Sequence, residues 1–140
     1  MSDMESVIEA IKGGANSLEL CSNRIEGGVT PSLGLIEETV RRTRGSNVGV
    51  HVLIRPRPGG FVYSAAEFEL ILRDIVSAKH AQADGVVVGL LTEDGEIDLA
   101  RMRVVREVAD GLVLTFHRAF DVRRLVGDAS DRDRCLPLDQ

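Results

Sequence analysis

The segment TFHRAFD at residues 115–121 places an imidazole, a guanidinium and a carboxylate within a few positions of one another. His117, Arg118 and Asp121 follow directly on the apolar run at residues 112–114. Parallel α/β folds build their sites from polar groups at the carboxyl ends of strands. His117 is therefore a candidate acid, base or metal ligand, and Asp121 could orient it. The alternative is a histidine that only hydrogen-bonds a neighbouring loop.

Two arginines follow a second apolar run. Arg55 and Arg57 flank Pro56, which stiffens the backbone between them. Two guanidinium groups at the end of a strand suit an anionic ligand such as a phosphate or a carboxylate. The alternative is a structural role, in which the arginines form ion pairs with Glu19 and Glu26.

Cys21 is the third chemical candidate. A thiolate is a soft metal ligand and a nucleophile. A single cysteine on a strand is also a common inert core residue, so both interpretations stay open. The chain has only one other cysteine, Cys135, and contains no CxxC pair, so a disulfide framework is not expected.

Strands and helices are predicted to alternate along the chain. Apolar residues recur at helical spacing after residue 3, after Pro31, between Ser64 and residue 83, and after Asp98. Ser2 with Glu5, and Ser64 with Glu67, fit capping boxes, and Pro31 suits a first helical position. Strands are predicted at residues 17–21, 48–54, 85–89 and 112–117. The order α-β-α-β-α-β-α-β indicates a parallel sheet with right-handed crossovers.

The two faces of these strands differ in polarity. Side chains alternate along a strand, so Leu18 and Leu20 share a face that Glu19 and Cys21 do not. The same parity gives each of three strands one wholly apolar face, which should pack against helices. The opposite face is predicted to be the lumen of a barrel with its site at the carboxyl ends of the strands, and it collects Glu19, Cys21, His51, Arg55, Thr115 and His117. A solvated face of an open sheet is the alternative.

Composition narrows the class of protein. The chain has 140 residues, which is one domain by size, and its 44% apolar content is normal for a globular protein. A net charge of -5 does not favour a nucleic-acid partner. The sequence has neither an apolar signal region at its start nor an apolar run long enough to span a membrane. We therefore expect a soluble cytoplasmic protein with no nucleic-acid or membrane partner.

The alternating pattern stops after Val122. Charged residues crowd the remaining segment, in which apolar residues are scattered. We therefore predict one domain at residues 1–122, followed by a divergent and disordered tail at residues 123–140.

Several segments together closely resemble the CutC copper homeostasis family, from about residue 3 to residue 122. They are LELCS (18–22), EGGVTPSLG (26–34), IRPR (54–57), FVYS (61–64), DGVVVG (84–89), LTEDGEID (91–98) and TFHRAFD (115–121). The resemblance implies a partial TIM-type barrel of about four strands, incomplete at both ends. It also implies copper binding in the cytosol and an oligomer, and no catalytic reaction is established for the family. By resemblance, the polar groups of the lumen are Glu19, Cys21, Ser22, Arg55, Arg57, His117, Arg118 and Asp121.

The chain also departs from the family pattern. Members usually begin with a strand ending in Cys-Val-Asp-Ser, and this sequence starts near that aspartate. The usual Gly-Gly-Asp of the loop after Arg57 is replaced by Pro58-Gly59-Gly60, which lacks the carboxylate.

Three functional hypotheses result. The first is a copper homeostasis protein that binds copper through Cys21 with weak help from His117. The second is a TIM-barrel enzyme in which the arginines hold a small anionic substrate, while His117 or Glu19 moves a proton. The third is an inactive truncated product. Four strands leave two unpaired edges and an uncovered face, so we predict a homo-oligomer.

Overall fold

The structure, a computed structural model, describes residues 2–116. His117, Arg118, Asp121 and the predicted tail lie outside the described residues. Among residues 2–116, no helix combines the length and the apolar character that a membrane span requires. A short 3-10 turn covers Arg24–Glu26, and the helices and strands are α1 Met4–Lys12, β1 Ser17–Leu20, α2 Leu33–Thr43, β2 Gly49–Leu53, α3 Ala65–His80, β3 Gly85–Val88, α4 Leu99–Val108 and β4 Val113–Phe116.

The four strands form one parallel sheet in the order β1-β2-β3-β4. Glu19 pairs with His51, His51 with Gly85, and Gly85 with Val113, so one row of residues crosses the whole sheet. This topology confirms the predicted fold class, a partial TIM-type barrel. Within the described residues the sheet is open rather than closed into a ring.

The main core lies between the sheet and the helices. Leu18, Leu20, Val50, Val52 and Val86 belong to one buried cluster, in which they are joined by the apolar stripes of the helices. A second, smaller cluster contains Cys21, Leu53 and Val87. The two clusters follow the alternation of side chains and thereby confirm that one face is wholly apolar and packs on helices. We call the opposite face, which carries Glu19, Cys21, His51, Leu53 and Val87, the lumen face.

The predicted start of α1 was wrong by one residue. Asp3, rather than Ser2, is the N-cap, and its Oδ1 accepts a hydrogen bond from the Ser6 backbone N–H at 2.8 Å. Both residue types cap helices well, but a carboxylate also places negative charge at the positive end of the helix dipole. The capping box that we predicted for Ser2 and Glu5 is therefore replaced by an aspartate cap.

The predicted position of Pro31 inside α2 was also wrong. Ser32 has an extended backbone and caps the helix, since its hydroxyl oxygen accepts a hydrogen bond from Leu35 N–H at 3.2 Å. An N-cap must stay outside the helical conformation, so α2 begins at Leu33 and Pro31 lies before it.

The start of α3 was predicted correctly, but its end was not. Ser64 and Glu67 form the expected capping box, with Glu67 N–H donating to the Ser64 hydroxyl and Ser64 N–H donating to the Glu67 carboxylate. The helix ends at His80 rather than near Ala83. Gln82 adopts a φ of +68°, a left-handed conformation that cannot continue a right-handed helix.

Gly85 allows β2, β3 and β4 to meet around the imidazole of His51. A Cβ atom at this position would lie 2.5 Å from His51 Nδ1, 2.7 Å from the Val113 carbonyl oxygen and 3.0 Å from the Val113 Cβ. Each distance is shorter than a van der Waals contact, and the carbonyl belongs to the backbone of the neighbouring strand. The sheet therefore leaves no room for a side chain at residue 85.

We expect Gly85→Ala to lower the free energy of unfolding by about 2–3 kcal/mol, because overpacking must displace both the imidazole and a strand. Urea denaturation measures the change. Gly60→Ala is the matched control, since no atom lies within 4 Å of its added Cβ. Adding His51→Ala should recover only part of the loss, because the Val113 carbonyl clash remains. Full recovery would show that the backbone contact is unimportant.

Candidate functional site

The carboxyl ends of the strands lead into three connecting loops, at residues 21–32, 54–64 and 89–98, which together we call the rim. Arg55 N–H donates to the Thr30 hydroxyl at 2.8 Å, and Thr30 N–H donates to the Arg55 carbonyl at 2.9 Å. Leu91 N–H donates to the Phe61 carbonyl at 2.9 Å. These bonds connect the first loop to the second and the second to the third. The rim is therefore one hydrogen-bonded unit at the edge where a parallel fold places its site.

Arg55 lies inside the rim with only 4% of its surface exposed. Its Nη1 donates to the carbonyls of Glu26 at 3.1 Å and Gly28 at 2.9 Å, and its Nη2 donates to the carbonyl of Gly59 at 2.8 Å. Burial lowers the pKa of Arg55 from its ordinary value, yet a guanidinium stays charged in proteins. Arg55 thus binds the two loops together through their main chains, and it contacts Glu26 through the carbonyl rather than the carboxylate.

Arg57 holds the second loop onto the start of α3. Its Nε donates to the Glu67 carboxylate at 2.7 Å and its Nη2 to the same carboxylate at 3.3 Å. It also donates to the carbonyl of Val62 at 2.9 Å and to the carbonyl of Gly60. Hydrogen bonds from the Ser64 backbone, and then from Arg57, lower the pKa of Glu67. The carboxylate that completes the capping box of α3 therefore also anchors the loop.

Two aromatic rings complete this arrangement. The guanidinium carbon of Arg55 lies 5.2 Å from the centre of the Phe61 ring, and that of Arg57 lies 4.7 Å from the Tyr63 ring. These distances are within the range of cation–π attraction. Burial raises the pKa of the Tyr63 hydroxyl, and the positive charges of both arginines oppose that rise. The sequence analysis did not assign the two rings a role, although the matching Arg-x-Arg and Phe-x-Tyr spacing around Gly59-Gly60 is a signal that could have identified them.

Glu19 and His51 lie side by side on the lumen face, because β1 and β2 pair them directly. Glu19 is 7% exposed, and His51 is partly buried. Burial lowers the pKa of His51, and the nearby Asp84 carboxylate partly opposes that shift. The Nδ1 atom of His51 is buried and makes no hydrogen bond to the described part of the chain. The sequence placed His51 on this face but did not identify it as a candidate site residue.

Cys21 and Ser22 stand where β1 runs into the first loop. Cys21 is fully buried on the lumen face beside Leu53 and Val87, and its sulfur is disulfide-bonded. Ser22 N–H donates to the Val29 carbonyl at 2.9 Å and its own carbonyl accepts from Val29 N–H at 2.8 Å, which closes the loop into a narrow hairpin. The main chain of Ser22 thus holds the loop directly above Cys21.

The remaining predicted site residues fall at the end of β4. Thr115 pairs with Val87 and so belongs to the same row as Leu53. His117, Arg118 and Asp121 follow, outside the described residues. Within residues 2–116, no three His, Cys, Asp or Glu side chains come together as a metal-binding group. The described part therefore brings together Glu19, Cys21, Ser22 and Arg55 around the first two strands and leaves the contribution of β4 as a prediction.

Alternating helices and parallel strands, with a rim held by the buried Arg55 and the half-buried Arg57, define a partial barrel of the (β/α) class. The family model described as "CutC family" matches residues 1–131. The chain therefore belongs to the CutC family, as the sequence motifs indicated. The matched range extends past the predicted domain boundary at residue 122, which stays a prediction.

Individual relatives agree with this assignment. Family proteins CutC of Vibrio vulnificus strain YJ016 and Bacteroides fragilis strain ATCC 25285 are 50% identical over 121 residues and 47% identical over 132 residues. These matches cover 85% and 92% of this chain but 47% and 51% of the relatives, so the chain spans about half the length of the curated relatives it matches. The crystal structure of a candidate copper homeostasis protein, CutC from Streptococcus agalactiae, superposes with a TM-score of 0.82 at 35% identity and covers 87% of this chain and 58% of that one.

We expect His51 to make the stability of the protein depend on pH. Its lowered pKa means that the unfolded chain takes up a proton at a higher pH than the folded chain does. The stabilising effect of the neutral imidazole is fully present above the unfolded pKa of about 6.5 and is lost as the pH falls below that value. Urea unfolding of wild type and His51→Asn at pH 7.5 and 5.5 tests this. If the free energy of unfolding fell equally in both proteins between pH 7.5 and 5.5, His51 would not be the source of the pH dependence.

Arg57→Lys should lower the melting temperature by about 3–6 °C, because lysine keeps the charge but cannot donate at once to Glu67 and to the loop carbonyls. Arg73→Lys is the matched control, since Arg73 is exposed on α3 and lies 3.8 Å from Glu69. Thermal melts followed by circular dichroism compare the two. If the melting temperature of Arg73→Lys fell as far as that of Arg57→Lys, the anchoring role of Arg57 would be contradicted.

Proposed function

We propose that this chain handles copper in the cytoplasm and binds the ion as cargo on its lumen face. The observation that carries the proposal is membership of the CutC family. The structural relative from Streptococcus agalactiae, which is named for copper homeostasis, also supports a role in copper handling. We propose no catalytic reaction for the chain.

Cys21 is disulfide-bonded in the structure, so the proposal concerns its reduced form, in which it is the donor that favours copper over harder ions. A thiolate is a soft ligand and suits Cu(I), whereas the carboxylate of Glu19 alone would suit magnesium or calcium. The imidazole of His51 occupies the same face, with its Nδ1 not engaged by residues 2–116. We propose Cys21 as the primary ligand of Cu(I) and an imidazole as the second.

Two histidines, His51 and His117, are candidates for the second copper ligand. His117 follows the last residue of β4, and the strand order places β1 and β4 three spacings apart, or about 14 Å along a flat sheet. His51 belongs to β2, the immediate neighbour of β1. His117 could share an ion with Cys21 only if the strands curve toward each other across the lumen, as they do in a barrel. Both histidines therefore belong in the test.

The contacts of the two arginines do not favour the alternative of an enzyme for a small anionic substrate. Three donor bonds of Arg55 go to main-chain carbonyls, and Arg57 is committed to Glu67 and to its own loop. These contacts give both guanidinium groups a structural task, although the buried Nε of Arg55 has no hydrogen-bond partner in the described residues. A small anionic substrate held by Arg55, Arg57 or Arg118, with Asp121 as a further lumen residue, stays a prediction, which a rise in melting temperature with phosphate would support.

Competition with a chromogenic Cu(I) chelator, on protein with reduced thiols and without oxygen, tests the proposal. Cys21→Ser should weaken Cu(I) binding by about tenfold or more, because a hydroxyl is a poor ligand for a soft ion. His51→Ala and His117→Ala should each have smaller effects, and the larger of the two identifies the second ligand.

Cys135→Ser is tested beside Cys21→Ser, since it removes the only other thiol of the chain. A loss of affinity in this variant would show that the second thiol shares the ion. Identical binding by wild type and Cys21→Ser would remove Cys21 from the site, and an absence of competition in the wild type would overturn the proposal as a whole.

A further inference from the structure

The sulfur of Cys21 can serve only one of two purposes at a time. It is disulfide-bonded in the structure, and in its reduced form it is the soft donor proposed for Cu(I). Copper binds the thiolate, whereas a disulfide sulfur has no proton to release and carries no negative charge. Disulfide formation and copper binding at Cys21 therefore exclude each other.

The surroundings of Cys21 keep its sulfur out of bulk water. The residue is fully buried, and it packs with Leu53 and Val87 in a cluster that is separate from the main core. It lies directly after β1, where the strand runs into the first loop of the rim. The sulfur thus lies at the candidate copper site rather than in the helix core, where a cysteine would only fill space.

The hairpin that follows Cys21 limits access to its sulfur. Ser22 and Val29 close the base of the hairpin with two main-chain hydrogen bonds, at 2.9 and 2.8 Å. Arg55 holds the same hairpin through the carbonyls of Glu26 and Gly28. An exchange at Cys21 therefore requires this loop to open, and the thiol or the disulfide persists while the loop is closed.

The redox state of the cytoplasm, the compartment proposed above, gives this bond a regulatory meaning. Disulfides are rare there, and those that form are usually transient and serve catalysis or redox sensing. The ratio of thiol to disulfide then depends on the glutathione poise of the compartment. The sequence contains one other cysteine, Cys135, which lies outside the described residues and is the only residue of the same chain that can supply the second sulfur. One oxidation therefore consumes both thiols of the chain.

We propose that Cys21 is a thiol–disulfide switch that controls copper binding, an inference that rests on the proposed function. Two protein thiols form one disulfide by giving two electrons and two protons to glutathione disulfide, which leaves as two molecules of glutathione. Bound Cu(I) is released without a change in its own oxidation state, because it loses the thiolate that held it. Reduction by glutathione reverses the exchange and restores the ligand. An oxidising cytoplasm thus empties the site, and a reducing one allows it to fill.

Copper-free protein, either reduced with dithiothreitol or oxidised with diamide, tests the switch. Diamide takes up two hydrogen atoms as it converts a pair of thiols to a disulfide, so the intact mass of the wild type should fall by two hydrogens, and dithiothreitol should restore it. Competition with a chromogenic Cu(I) chelator, after removal of the reagents and without oxygen, then compares the two forms. The oxidised wild type should bind Cu(I) more weakly by about tenfold or more, because it has no thiolate to offer.

Cys135→Ser is the matched control, because it keeps Cys21 but cannot form the bond within one chain. At low protein concentration, treatment with diamide should leave its mass and its affinity for Cu(I) as they were before treatment. A wild type that keeps both thiols in diamide, or that binds Cu(I) equally well in both forms, would overturn the switch and leave the proposed copper function standing. A reduced wild type that does not bind Cu(I) would overturn both proposals, and the mass of the oxidised chain would still show whether the disulfide forms.

Discussion

Side chains alternate along each strand of the parallel sheet, and the helices pack on only one of its faces. Every residue of a strand is thereby assigned either to the helix core or to the lumen face. Val50 and Val52 belong to the core, whereas His51 and Leu53 belong to the other face. A shift of one residue in the register would exchange the two sets, which would bury Glu19 and His51 among aliphatic side chains. Both the stability of the fold and the chemistry of its site therefore depend on this register.

The rim depends on a buried positive charge. Taking a guanidinium out of water is costly unless its N–H groups find acceptors. Arg55 meets most of that requirement with main-chain carbonyls from two loops, which cannot be lost by mutation of their own side chains, while its buried Nε has no partner in the described residues. Arg57 acts differently, because beside loop carbonyls it bonds a carboxylate, that of Glu67, which also caps a helix. The loop at residues 54–64 thus has one anchor inside the rim and a second at the start of α3.

The sequence predicted the features that depend on local periodicity. The period of two in the strands correctly separated the apolar face from the lumen face, and the cap at Ser64 was found where expected. The sequence could not decide between Ser2 and Asp3 as the N-cap of α1, because both residue types cap helices well. The start of α2 was misplaced for another reason, because Pro31 suits the first turn of a helix while Ser32, the next residue, is the cap.

Features that depend on contacts between distant segments were not predicted. Nothing in the local pattern around Arg55 indicates that its partners are carbonyls of Glu26 and Gly28, which lie in another loop. The fit between His51 and Gly85 likewise requires the register of β2 and β3, which alternation alone does not fix. The predicted role of His117 at the end of β4 stays a prediction for a different reason, since that residue lies outside the described part of the chain.

The contact between His51 and Gly85 also bears on how this fold can change over time. A side chain at residue 85 and an imidazole at residue 51 would occupy the same volume, and the Val113 carbonyl prevents the side chain at residue 85 from moving aside. A lineage that replaced the glycine first would lose stability before any later change at residue 51 could relieve it. Replacement of the histidine first opens space without a clash. Loss of the histidine is therefore tolerated whereas loss of the glycine is not, because the Val113 carbonyl still blocks a Cβ at residue 85, and glycine should outlast histidine at this pair of positions as related sequences diverge.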